Sequence, residues 1–107
     1  MPLRRRRLSL QAVELLAVLL DDPTAEHYGL DLCKRLDLLS GTVYPLLRRF
    51  EENGWATSRT EDVDPAQAGR PPRRLYRLTG AGEALARQER QRIARTIGAV
   101  VPGPGPT

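Results

Sequence analysis

"SGTVYPLLRR", residues Ser40 to Arg49, decides how the chain folds. A serine opens the stretch, and Val43, Leu46 and Leu47 recur at helical spacing, with Phe50 continuing the stripe. The remaining positions, Ser40, Thr42, Tyr44, Pro45, Arg48 and Arg49, make an outward face that starts small and hydroxylated and ends basic. A helix that enters a DNA major groove needs such a start, because a thin polar end lets its axis approach base edges and phosphates. Gly41 and the hydroxyls of Ser40 and Thr42 supply it, and the positive helix end with its free N–H groups favours a phosphate there. Pro45 fits less easily. With Ser40 as cap it lies just beyond the first turn, where a missing N–H begins to matter. The sequence therefore predicts a regular helix starting nearer Gly41 or Thr42, or a distorted first turn. An amphipathic core helix with a solvated outer face is the competing reading of the same pattern.

Upstream, Ser9 can cap a helix running to about Leu20, with Leu10, Val13, Leu16, Ala17 and Leu20 on one stripe. Asp21-Asp22-Pro23 ends it. Tyr28 to Leu36 holds a second, short helical pattern, and Asp37-Leu38-Leu39 is a tight connection to Ser40. The third helix is expected from about Ser40 to Asn53, with Gly54 stopping it. Downstream the period drops to two. Trp55, Thr57 and Arg59 alternate with Ala56 and Ser58, and between Arg73 and Leu78 the pair Leu75 and Arg77 faces away from Tyr76 and Leu78. Glu61 to Pro72, polar and bearing Pro and Gly, is the loop between two strands of a β-hairpin. Thr79 caps a last helix of about twenty residues, about 30 Å long, with Ala81, Leu85, Ile93, Ile97 and Val100 as its apolar positions. A seam this narrow and long predicts pairing with a second chain through Leu85, Ile93, Ile97 and Val100.

Three helices, a hairpin and a further helix make a mainly α protein with a small β-hairpin: a winged helix-turn-helix with a C-terminal dimerisation helix. The expected division is a basic N-terminal arm over 1–7 and a DNA-binding winged helix-turn-helix over 8–78. A dimerisation helix follows over 79–100, then a disordered tail over 101–107, "VPGPGPT".

The 107 residues suit one domain. Their net charge of +4 is modest, so its distribution carries more weight than its size. Arg4 to Arg7, the pair Arg48 and Arg49, and the group Arg70, Arg73, Arg74 and Arg77 are basic clusters, while acids gather at Asp21, Asp22 and Glu26 and at Glu61, Asp62 and Asp64. Segregation of this kind suits a polyanion-binding face with a solvated back. Arg70, Arg73 and Arg74, beside Gly69 and Pro71-Pro72, suit a phosphate backbone or a minor groove. Two readings of Arg4–Arg7 stand side by side, a flexible arm on adjacent DNA and an unstructured solubilising start. The single cysteine, Cys33, excludes an internal disulfide and reads as a buried small hydrophobe. His27 has no partners at metal-ligand spacing and reads as a turn residue. No Gly-rich phosphate loop, nucleophile elbow or metal signature is present, so no enzyme, cofactor or metal is expected. No apolar run has the length of a membrane span and no signal peptide is expected, which makes the cytoplasm the default location.

The stretches "YGLDLCKRL", "SGTVYPLLRRFEENGW" and "GRPPRRLYRLTGAGEAL" resemble the PadR family of winged-helix transcriptional regulators over roughly Leu10 to Leu85. The resemblance implies a homodimer, and two chains paired through the last helix would read an inverted-repeat operator in double-stranded DNA. It also implies a recognition helix holding Ser40, Thr42 and Tyr44, a wing holding Arg70 and Arg73, and repression of nearby promoters, often relieved by a small-molecule effector. This sequence departs from part of the family. One helix follows the wing, as in a short-tailed branch, and that helix has no aromatic residue to line a ligand pore between protomers. A winged helix whose third helix docks on a partner protein without binding DNA is the alternative function. Acidic or apolar residues on that helix's outer face would favour it, whereas Arg48 and Arg49 favour DNA.

Overall fold

Helix α1, Leu10–Asp21, begins where the sequence places it: the Ser9 hydroxyl accepts the Ala12 N–H at 3.1 Å. The computed structural model describes residues 7–100, and the side chains as far as Gly98. Arg4 to Arg6 of the expected arm, the expected 101–107 tail and the Val100 side chain lie outside the described residues. The buried face of α1 consists of Ala12, Val13, Leu15, Leu16, Leu19 and Leu20, whereas Leu10 and Ala17 are exposed. The expected stripe through Leu10 and Ala17 is therefore displaced by part of a turn. Both faces satisfy helical spacing, and burial selects the one that hides more leucine surface, at about 25 cal/mol per Å² of apolar area.

A two-residue strand, β1 (His27–Tyr28), leads into α2, Gly29–Leu36, which buries Leu32 and Cys33 and ends at Asp37 in the left-handed conformation (φ 54°). His27 is thus a strand residue and not a turn residue; two residues are too few to show a period. Leu38 turns inward against the core, and α3 follows over Ser40–Glu52. Val43, Leu47 and Phe50 are completely buried. Gly54 ends α3 with φ 75°, and the Trp55 N–H reaches back to the Phe50 carbonyl at 2.8 Å.

Strands β2 (Ala56–Thr60) and β3 (Arg74–Leu78) pair antiparallel from Ala56↔Leu78 to Thr60↔Arg74. β1 adds to the other edge of β3 through His27↔Tyr76 and Tyr28↔Leu75, so the expected hairpin is a three-stranded sheet in the order β1-β3-β2. Ala56, Tyr76 and Leu78 point into the core. The expected loop contains a helical turn, α4 (Pro65–Ala68). Asp64 caps it, Pro65 opens it, and Gly69 closes it in the left-handed conformation.

Helix α5, Gly80–Val100, starts with the Thr79 hydroxyl accepting the Gly82 N–H at 3.1 Å and donating to the Gly54 carbonyl. Its first half belongs to the core. Leu85 and Ala86 are 5% and 3% exposed, packed in the same cluster as α1 and α3, while Ala81 faces out. Leu85 is therefore already used within its own chain. The apolar seam left over is Ile93, half-buried, and Ile97, 55% exposed. The early turns of α5 are buried because Gly82 lets the helix approach closely: a Cβ there would stand 1.8 Å from the Trp55 carbonyl oxygen.

Candidate nucleic-acid interface

The N-cap of α3 is Leu39, not Ser40. The Leu39 carbonyl accepts the N–H groups of both Thr42 (2.9 Å) and Val43 (3.1 Å), so the helix winds regularly from Ser40, one residue earlier than expected. Pro45 lies wholly inside the helix. Its missing N–H would have served the carbonyl of Gly41, and its ring presses on that same peptide. Gly41 itself is exposed. A Cβ on Gly41 would meet nothing within 4 Å, and no packing inside the chain requires a glycine there.

Of the expected outward residues, Ser40, Gly41, Pro45, Arg48 and Arg49 are exposed, and Thr42 is half-exposed. Tyr44 lies differently. Its ring covers Gly29 of α2 so closely that a Cβ on Gly29 would come within 2.7 Å of Cε1 and Oη. Burial pushes the Tyr44 hydroxyl above its ordinary pKa, with Tyr28 adding to the effect, so it remains a neutral donor at physiological pH. Tyr44, Pro45, Arg48, Arg49 and Glu52 line a shallow hollow of about 440 Å³ along this face.

The wing is tied to the end of α3 by one of the expected arginines, Arg74, acting through Ser58 and Glu51, which the sequence did not mark as partners. Arg74 Nε donates to Ser58 Oγ at 3.0 Å, and Ser58 Oγ donates to Glu51 Oε2 at 2.7 Å. A second bond joins Arg74 Nη1 to Thr60 Oγ1 at 3.3 Å. Near this chain lies the Tyr76 hydroxyl. Burial, and then Glu51, raise its pKa, while Arg74 and Arg48 oppose the shift. One phenol thus feels both an arginine of α3 and an arginine of the wing.

The other two wing arginines are occupied elsewhere. The Glu61 carboxylate accepts Arg70 Nη1 at 2.6 Å, Arg70 Nη2 at 3.2 Å and the Arg73 backbone N–H at 3.2 Å. The Glu61 N–H returns a bond to the Arg73 carbonyl at 2.7 Å, closing the base of the wing loop. The Arg70 guanidinium, and then the Arg73 N–H, hold Glu61 below its ordinary pKa. The Arg73 guanidinium lies 4.4 Å from the centre of the Tyr28 ring. Alternation along β3 sends Arg73 to the outer sheet face and Arg74 to the face that meets α3, so the expected cluster of Arg70, Arg73 and Arg74 is divided. On the outer face Glu26 pairs with Arg59, at 2.7 Å for Nη2.

Away from α3, Val13, Ala17, Ala86, Arg90 and Ile93 line an apolar hollow of about 190 Å³ between α1 and α5. Among the described residues, Leu10 and Ile97 are the large apolar side chains these two helices leave exposed. Among the described residues no helix is long and apolar enough to cross a membrane, and no group of His, Cys, Asp and Glu could hold a metal ion.

A family model described as "Transcriptional regulator PadR-like family" matches residues 15–88. No curated protein matches the sequence. Solved structures do. PcaV, a transcriptional regulator from Streptomyces coelicolor solved with its natural ligand, superposes with a TM-score of 0.71 at 20% identity, covering 88% of this chain and 61% of PcaV. A transcriptional regulator homologue from Pyrococcus horikoshii OT3 gives 0.69 at 20% identity, covering 85% and 83%. A variant of ZitR from Lactococcus lactis gives 0.67 at 14% identity, covering 94% of this chain and 62% of ZitR. The chain thus spans about three fifths of PcaV and of ZitR. At these identities the shared property is the winged-helix fold.

Proposed function

This chain belongs to the PadR-like family of transcriptional regulators, and from that premise we propose that it is a homodimeric repressor that binds an inverted-repeat operator in double-stranded DNA. The family is one of regulators and not of enzymes. In the proposed complex α3 enters the major groove N-terminus first. Ser40, Gly41 and Thr42 lie nearest the bases with Pro45 beside them, and Tyr44, its ring laid over Gly29 of α2, offers only its outer edge to the groove. Arg48 and Arg49 face the flanking phosphates, and Arg74 extends that basic face onto the wing. Arg73 reaches phosphate from the outer sheet face, and Arg70 does so only by leaving Glu61. The reading rests most on Gly41: its bare backbone sits at the exposed start of α3, on the side that carries Arg48 and Arg49, and no packing in the chain explains it. A close external approach does.

Pairing is proposed through Ile93, Ile97 and Val100 of α5 together with Leu10 and Ala17 of α1: Ala17 and Ile93 line the apolar hollow between the two helices, Leu10 and Ile97 are exposed apolar side chains of the same helices, and Val100 continues the seam by its spacing in the sequence. Two recognition helices would then meet major grooves about one helical turn, or about 10 base pairs, apart. The test is titration of duplex DNA across a salt series. The wild type should show a steep fall of log K with log[salt]. Replacing Arg48 and Arg49 by Ala should reduce that slope by about one for each phosphate that is no longer neutralised. Equal affinity at low and physiological salt would refute the basic face as a DNA clamp.

A further inference from the structure

Leu39 breaks two rules of folding at one position. Its side chain is 80% exposed, more than any other large apolar side chain among the described residues. It also occupies the N-cap of α3 without any side-chain hydrogen bond. Caps favour Ser, Thr, Asp and Asn because a side-chain oxygen can accept a first-turn N–H, and leucine is among the poorest choices. The link between α2 and α3 does not need this leucine as an anchor, since its neighbour Leu38 packs against the core. The fold therefore gains nothing from Leu39 by burial or by capping. A polar residue would suit both the exposed position and the cap better.

Its position supplies a use. Leu39 holds an extended backbone (φ −72°, ψ 150°) immediately before Ser40, Gly41 and Thr42, at the tip that enters the major groove in the proposed complex. The major-groove edges of the bases present hydrogen-bond donors and acceptors and one apolar group, the C5-methyl of thymine. We propose that Leu39 is a specificity-determining residue that packs against a thymine methyl in each operator half-site. This inference rests on the reading of the chain as a DNA-binding regulator. A polar cap at residue 39 would hold the helix start but could not pack against the methyl. Leu39 trades local stability for discrimination at one base.

The test uses the full chain and a duplex that the wild type enriches from a random-sequence pool. Each thymine of that duplex is replaced in turn by deoxyuridine, which lacks only the methyl group. At one thymine per half-site the replacement should weaken wild-type binding about fourfold, the effect of one buried methyl, and about fifteenfold when made in both half-sites. The same replacement should leave binding by the Leu39→Ser variant unchanged, and Leu39→Met should restore the sensitivity. Leu39→Ser should bind the unmodified duplex less tightly while melting no lower than the wild type. If no deoxyuridine position weakens the wild type, or if each weakens wild type and Leu39→Ser equally, the methyl contact is refuted and DNA binding stands. If the wild type enriches no duplex, the DNA-binding reading falls and the inference falls with it.

Discussion

Replacing Gly82 by alanine would drive a methyl group into a backbone carbonyl. The new Cβ would lie 1.8 Å from the Trp55 oxygen and must move beyond 3.0 Å, a retreat of at least 1.2 Å. The carbonyl cannot yield easily. It accepts the Thr79 N–H at 3.0 Å, and the Trp55 N–H is bonded to Phe50. The start of α5 must therefore move away, taking Leu85 and Ala86 from the core one turn later. Strain of this kind costs about 1–3 kcal/mol, and loss of the Thr79–Trp55 hydrogen bond adds about 1 kcal/mol. At about 4–8 °C per kcal/mol for a domain of this size, the resulting total of about 2–4 kcal/mol should lower Tm by about 8–32 °C. Thermal unfolding followed by far-UV circular dichroism measures this directly. Gly80→Ala is the control, because a Cβ at Gly80 meets nothing within 4 Å, and it should melt within a few degrees of the wild type. If Gly82→Ala melts with the wild type, the close approach of α5 to Trp55 is refuted.

Gly41→Ala should move stability and binding in opposite directions. Alanine in a helix gains up to about 1 kcal/mol over glycine, visible in urea unfolding, while operator affinity should drop; a variant that gains stability and keeps its affinity would remove the argument for close approach. Replacing Ile93 and Ile97 together by Lys should give a monomer by sedimentation, with an intact fold and much weaker binding to an inverted repeat. Glu61 has a depressed pKa in the folded chain, so its bond to Arg70 and to the Arg73 N–H is present above the unfolded carboxylate pKa and is lost as pH falls through the lower folded value. The Arg73 amide resonance should follow that acid titration and become insensitive to it in Glu61→Gln. The same variant frees Arg70 and should bind random DNA more tightly than the wild type.

Much of this architecture was legible in the sequence because strong local signals agreed with burial. Ser9, Gly54 and Thr79 mark element boundaries through cap chemistry, and Val43, Leu47 and Phe50 fill the core in the helical period that their spacing announces. The failures have physical causes. β1 is too short to show a period. The turn at α4 was signalled by Asp64-Pro65 and Gly69, a capped start and a glycine end, but it hid inside a polar loop. Ser40 looked like the cap because serine is the better capping residue, yet the chain puts Leu39 there. Leu85 satisfied the seam of α5 and the core of its own domain equally well, and spacing alone could not separate them. The division of Arg73 from Arg74 follows from the two-residue period, which a grouping by charge overlooks. The pairing of Arg70 with Glu61 and the Glu51–Ser58–Arg74 chain join residues of different elements at separations that match no helical or strand period, and only the folded chain brings them together.

The burial of Leu85 makes α5 a cantilever. It is clamped at its root by the core and by Gly82 against Trp55 and lies beside α1 as far as Ile93, and from Leu85 to Ile97 it spans about 18 Å at the usual rise. A tilt of about five degrees at the root would swing Ile97 by about 1.6 Å over that length. In a dimer joined near the free ends of two such beams, small repacking around Leu85 would change how far apart the two DNA-reading tips stand while leaving each tip's own chemistry intact. Substitutions at the clamp would then retune the preferred number of base pairs between half-sites, and the bases read within each half-site would stay the same.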